Sequence, residues 1–201
     1  MIAPVSRRSL ARLTAGLIVL AALAPAALAA PVTISRRGRP AARIVVAPGA
    51  SETERFAASE LALFLHIVTG AVFPVSEDAG AAVGRLLVGP GAARLAVPAV
   101  DLAGLAPEEI VVRTAGTDLV LAGGGPRGTL YAVYAFLEDA VGCRWWTATA
   151  SRMPRRPSLR VPDLAVRYAP PFEFREPFWY VAFDAPWAAR NKANGWVAGG
   201  D

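Results

Sequence analysis

Gly123, Gly125 and Gly128 fall in a G-x-G-x-x-G spacing between an apolar run, Leu119 to Ala122, and a helical stripe that starts after Thr129. In that setting glycines let a backbone approach a pyrophosphate at a helix N-terminus, so the first chemistry to weigh is dinucleotide binding by an oxidoreductase. That chemistry also wants an acidic residue about 20 residues further on, at the end of the next strand, to hold a ribose. Here that place is taken by Trp145-Trp146-Thr147-Ala148, which carries no carboxylate. A tight strand-to-helix turn that needs glycine for its backbone angles explains the same residues, and no cofactor is expected. Gly89-Pro90-Gly91 forms a second cluster after an apolar run, but no P-loop lysine follows it, and it reads as a turn.

The other reactive side chains are few. A thiol nucleophile would need a base, and the single cysteine, Cys143, and the single histidine, His66, lie on different predicted elements. A half-buried cysteine beside a helix C-cap is the reading adopted, and one histidine speaks against a histidine-rich zinc site. Two of the adjacent carboxylate pairs, Glu108-Glu109 before a strand and Glu138-Asp139 on a helix, are both read as solvated positions. No catalytic residue and no metal ligand is assigned.

The elements that must position these residues follow from periodicity and caps. Ser51-Glu52-Thr53-Glu54 is a capping box, and Ala57, Leu61, Phe64, Leu65 and Val68 continue from it as one apolar helical face ended by Thr69-Gly70. Leu130, Val133, Tyr134, Leu137 and Val141 make a second helical stripe ended by Gly142. Strand runs are expected at 43–47, 73–75, 85–88, 110–114, 118–122 and 159–161. Ala115-Gly116-Thr117 is a hairpin signal between two of them. Residues 92–107, rich in Ala and Pro, read as a connector. The expected class is α+β, an α/β sandwich in which a mixed β-sheet packs two helices on one face and leaves the other face to be covered.

Residues 1–30 have the pattern of an export signal: Arg7, Arg8 and Arg12, then an uncharged apolar run from Leu13 to Leu23, Pro25, and the small residues of Ala27-Leu28-Ala29. Ser6-Arg7-Arg8-Ser9-Leu10 is similar to a twin-arginine signal. Export to the periplasm or outside the cell is expected, with no stable membrane span once the signal is cleaved. Removing three arginines and no acids from the net charge of +5 leaves +2 for the rest. The remaining basic residues sit in Pro- and Ser-containing connectors without an aromatic-interleaved face, so nucleic acid is not an expected partner.

Two of these stretches carry a resemblance. Gly125-Pro126-Arg127-Gly128-Thr129-Leu130-Tyr131-Ala132-Val133-Tyr134-Ala135-Phe136-Leu137-Glu138 followed by Gly142-Cys143-Arg144-Trp145-Trp146, and Ala57-Ala58-Ser59-Glu60-Leu61 through Thr69-Gly70, come in the order found in the small α/β domain that precedes the barrel of several secreted carbohydrate-active enzymes. The chain resembles this β-hexosaminidase domain-2-like module of family 20 β-hexosaminidases, its counterpart in family 67 α-glucuronidases, and most closely a bacterial family of unassigned function. The resemblance covers about residues 42–195. It implies an accessory domain over residues 31–162 and, over 163–201, the start of an incomplete (β/α) barrel whose first strand is Phe172 to Arg175.

In the hexosaminidases an arginine after that strand holds sugar hydroxyls, which makes Arg175 the expected substrate contact, with Glu176 beside it and Trp179 in an aromatic segment able to stack on sugar rings. For Glu176 a surface ion pair is an equal alternative, and the aromatics could equally form a domain seam. A barrel takes about 250 residues, so this chain is expected to lack the catalytic carboxylates of a glycoside hydrolase and to meet carbohydrate through a barrel it does not contain. A stand-alone carbohydrate-binding or interaction module is the alternative.

Overall fold

The computed structural model describes residues 31–80 and 84–195. The export signal read over residues 1–30 lies outside them. Two short hairpin strands, β1 (Val32–Arg36) and β2 (Arg39–Pro40), turn at Arg37-Gly38. β3 (Arg43–Val46) leads into α1 (Glu52–Thr69), and β4 (Val75–Ser76) and β5 (Arg85–Val88) into a short helix α2 (Pro90–Ala96). The hairpin β6 (Ile110–Ala115) and β7 (Asp118–Gly123) feeds α3 (Gly128–Phe136), which ends in a π-helical turn, Leu137–Val141. β8 (Arg144–Trp145), β9 (Ser151–Arg152), β10 (Leu159–Val161), β11 (Ala165–Tyr168) and α4 (Ala185–Arg190) complete the described chain.

The main sheet has the order β11-β6-β7-β5-β3-β4. β7, β5, β3 and β4 run parallel, while β6 is antiparallel to both β7 and β11, so the sheet is mixed, as expected from a hairpin joined to helix-connected strands. Gly116, at φ +62° in the two-residue hairpin loop, takes the left-handed conformation that such loops require. Asp118 fixes the neighbouring register by accepting from the Arg85 N–H (2.8 Å) and its Nη2 (2.5 Å).

The strands share their residues between two cores with period two. Ile44, Val46, Leu86, Val88, Leu119 and Leu121 face α1 and α3, whereas Val45, Leu87, Val120 and Ala122 face α2 and the loop around Val100 and Leu102. The predicted pair of helices on one face is therefore present. The second face, however, is not left bare for a barrel: α2 and the loop after it cover it. The expected connector over 92–107 hid this helix because its buried contacts are Ala92 and Ala93, too small to give an apolar stripe. Pro90 at its first turn starts it, and a Cβ on Gly91 would stand 2.8 Å from Ala47 Cβ.

Both long helices follow their sequence signals. Ser51 accepts the Glu54 N–H (3.2 Å) while its own N–H donates to Glu54 Oε2 (2.7 Å), and Gly70 closes α1 at φ +75°. α3 is buried along its whole length, because it packs on the sheet and α1 on one side and on the segment 172–195 on the other.

Three further differences from the sequence reading have simple causes. Val32–Arg36, outside the expected strand runs, is a strand whose Val32 and Ile34 point inward against β10. Beyond Pro162 the chain adds β11 to the edge of the main sheet, beside β6. Phe172 to Arg175, expected as a barrel strand, is irregular, since prolines flank it and its backbone partner is a side chain. Asn194 Oδ1 accepts the Arg175 N–H (2.7 Å), and Asn194 Nδ2 donates to Glu173 O (2.7 Å). Among the described residues no helix is long and apolar enough to cross a membrane.

Candidate functional site

β7 runs straight into the glycine turn, and the turn is filled by the protein itself. Gly124 N–H donates to Glu109 O (2.9 Å), and Glu108 N–H donates to Gly125 O (3.1 Å). A Cβ on Gly128 would come 2.6 Å from Glu109 O; one on Gly123 would overlap Gly128, and one on Gly124 the Ala106 carbonyl. The glycines serve a close approach between two backbone segments, and the Gly124 N–H is already taken by the Ala106–Glu109 loop.

That loop delivers Glu108 into a buried cluster. Glu108 adopts φ +57° and is 7% exposed. Its Oε2 accepts from Arg175 Nη2 (2.5 Å) and Asn194 Nδ2 (2.8 Å), and its Oε1 lies 3.8 Å from Arg127 Nη1. Arg175 also donates to Phe172 O (2.8 Å) and Lys192 O (3.1 Å), with its guanidinium 5.8 Å from the centre of the Tyr131 ring. Tyr131 donates to Ala193 O (2.9 Å), and burial pushes its hydroxyl pKa up. A cavity of about 230 Å³ opens beside Glu108, Tyr131, Tyr168, Arg175 and Lys192.

The three residues singled out as sugar contacts thus occupy different settings. Arg175 spends most of its donors inside the chain and ties the segment 172–195 to the glycine turn. Glu176 is half-buried and packs against Gly195, where any added Cβ would overlap its side chain. Trp179 is 60% exposed, in line with Phe178 and Tyr180 on the surface.

Glu108 and Glu109 correct the sequence reading: both are buried rather than solvated. Glu109 Oε1 accepts from Arg167 Nε (2.6 Å) and Oε2 from the Ala106 N–H (2.7 Å). The Arg167 bond first, and then the Ala106 bond, hold its pKa below the ordinary carboxylate value. A depressed carboxylate pKa contributes stability that is complete above the unfolded-state value of roughly 4.3 and is lost as pH falls through the folded-state value. Urea midpoints measured from neutral pH down to about 3 should therefore fall more steeply for the native chain than for Glu109→Gln. Glu138, also read as exposed, is half-buried against Lys192 Nζ (2.5 Å); its neighbour Asp139 is exposed.

A second buried cluster escaped the sequence reading. Tyr134 donates to Glu60 Oε2 (2.8 Å), Arg190 Nη2 stands 3.4 Å from the same oxygen, and the Arg190 guanidinium lies 5.2 Å from the centre of the Phe64 ring. Burial first, then the nearby Glu60 charge, raises the Tyr134 pKa. With this pair, each buried carboxylate among the described residues has an arginine partner: Glu60 with Arg190, Asp118 with Arg85, Glu108 with Arg175, Glu109 with Arg167. Each of the four thus has at least one oxygen engaged by an arginine.

Cys143 and His66 stand apart in character. His66 is exposed, with Nδ1 3.2 Å from Ala71 O, whereas Cys143 is fully buried and burial pushes its thiol up to about 11. In native protein at pH ~8 a thiol reagent should leave Cys143 unmodified, while one equivalent should react in denaturant. Rapid native labelling would contradict the buried placement. Among the described residues no group of three or more His, Cys, Asp or Glu side chains is placed to hold a metal ion.

No protein-family model matches the sequence, and no curated protein does. Solved structures do match the fold. A mutant β-hexosaminidase of Streptomyces plicatus, solved with its product GlcNAc, aligns over 82% of this chain and 30% of its own at 16% identity and a TM-score of 0.52. The GH20 β-N-acetylhexosaminidase of Streptomyces coelicolor A3(2) aligns over 80% and 29% at 18% identity and a TM-score of 0.51. A GH115 4-O-methyl-α-glucuronidase aligns over 67% and 18% at 19% identity, with a TM-score of 0.48. The chain spans less than a third of the length of each of these proteins. Its described residues have the fold of a part of the GH20 β-hexosaminidases, an α/β sandwich built on a six-stranded mixed sheet.

Proposed function

We propose that this chain is the non-catalytic accessory domain of an exported glycoside hydrolase-like protein that acts on carbohydrate. The observation that carries the reading is the fold match over four-fifths of this chain to about a third of a β-hexosaminidase. The side-chain chemistry agrees with a supporting role. Hydrolysis of a glycosidic bond takes a free acid and a second carboxylate, or an acid plus a substrate N-acetyl group, across that bond. Here the buried carboxylates are bound to arginines, and the cluster around Glu108 fastens the segment 172–195 onto α3 and the glycine turn. Its role would be to set the position of whatever follows that segment.

The test is made on the gene and its product. The reading frame past Asp201 should continue for several hundred residues of strand–helix alternation, and the longer product should leave the cytoplasm and hydrolyse hexosaminides or related glycosides. A stop codon directly after Asp201, or a longer product without such activity, would overturn the reading. The exposed rings around Trp179 favour a second reading, a carbohydrate-binding module.

A further inference from the structure

The segment after Pro177 presents aromatic surface that the fold does not use. Phe178 is 87% exposed, Trp179 60%, Tyr180 93% and Phe183 44%. The turn that carries them is nevertheless held in place. Phe178 and Phe183 meet edge to face with centroids 5.5 Å apart, and the 3-10 turn Tyr180–Phe183 is pinned by the buried Ala182. The Asp184 carboxylate caps α4 by accepting the Trp187 N–H through Oδ1 (2.8 Å). Trp187 is buried and donates its Nε1–H to Trp145 O (3.1 Å).

Trp145 also roots the opposite wall. It packs edge to face on Phe64 and Tyr134, and just after it the chain makes a turn in which Thr147 Oγ1 accepts the N–H groups of Thr149 (3.2 Å) and Ala150 (2.8 Å). Between the two turns lies a groove of about 620 Å³ lined by Thr147, Thr149, Tyr180, Phe183 and Asp184. One wall offers aromatic surface, the other offers hydroxyls, and Asp184 Oδ2 has no hydrogen-bond partner among the described residues.

We infer that this groove binds a neutral oligosaccharide. A pyranose has apolar C–H faces that stack on rings such as Tyr180, and a rim of hydroxyls that can donate to a carboxylate and exchange bonds with threonines. Among the described residues the only charged group lining the groove is an acid, which disfavours uronates and phosphates. Because both walls are anchored at Trp145, little ordering accompanies binding. The inference rests on the carbohydrate reading above, and it adds a contact site on this chain separate from Arg175.

Isothermal titration of the purified chain with cellohexaose, xylohexaose and chitohexaose, and with an acidic galacturonan hexamer as control, tests the inference. Saturable binding of at least one neutral hexamer is expected, weakened about tenfold or more by Tyr180→Ala. Phe172→Ala, outside the groove, should bind like the native chain with an unchanged melting temperature. The absence of saturable binding up to ~10 mM, binding of the acidic hexamer alone, or equal losses in the two variants would overturn it. Hydrolysis by the longer product without binding here would remove the groove and leave the accessory-domain reading. Binding here with no hydrolysis would do the reverse.

Discussion

Gly124→Ala should destabilise the domain by about 3 kcal/mol or more, and Gly123→Ala by a similar amount, while Gly125→Ala should be close to neutral. The added methyl at position 124 would run into the Ala106 carbonyl, and at 123 into the Gly128 backbone and Glu109 O. These are backbone atoms of an ordered loop, so no rotamer change can relieve the overlap, and the loop carrying Glu108 must lift from the turn. At Gly125 a Cβ meets nothing within 4 Å. Against a total stability of roughly 5–15 kcal/mol, the first two losses are large enough to read in urea melts. A phosphate-cradling turn would show another pattern, with all three variants folding normally. Equal and small effects at 123, 124 and 125 would therefore contradict the close-packed turn.

Glu108→Ala should cost about 3 kcal/mol and release the segment 172–195. The substitution leaves Arg175 and Asn194 without their shared acceptor and removes the nearest carboxylate from Arg127. The lower end of the range for breaking a buried pair applies, because 21% of the Arg175 side chain still reaches water. Glu108→Gln keeps one acceptor oxygen and should lose less. Limited proteolysis separates this from general destabilisation: cleavage in the exposed, proline-flanked stretch 170–180 should accelerate in Glu108→Ala at urea concentrations where the sheet is still folded. Uniform cleavage across the chain would argue that Glu108 merely contributes to the core.

How much of this was legible in the sequence depends on distance along the chain. α1 was readable because capping box, apolar stripe and terminal glycine agree, α3 because stripe and terminal glycine do, and β6–β7 because a Gly-containing turn separates two β-prone runs. α2 was not, since Ala92 and Ala93 pack through small size, which leaves no hydrophobic period. The buried ion pairs were invisible for a different reason. Glu109 and Arg167 are 58 positions apart, Glu108 and Arg175 67, and Glu60 and Arg190 130, so nothing local marks them as partners. Glu108-Glu109 looked like a solvated pair, and only the fold shows that a loop pressed on the glycine turn carries both inward. The G-x-G-x-x-G spacing was the reverse case, plain in the sequence but with its cause in Ala106 and Glu109. Arg175 was picked out by its place in a motif, while the acceptors that hold it could be found only in three dimensions.

The claim that matters most is that the polar centre of this domain holds structure together and breaks no bonds. Incubating the purified 201-residue chain with a panel of chromogenic hexosaminides, glucuronides and xylosides measures it directly. Release of the chromophore should stay at the buffer rate for every substrate, in the native chain and in Glu108→Gln alike. Turnover by the native chain that disappears in Glu108→Gln would contradict the account.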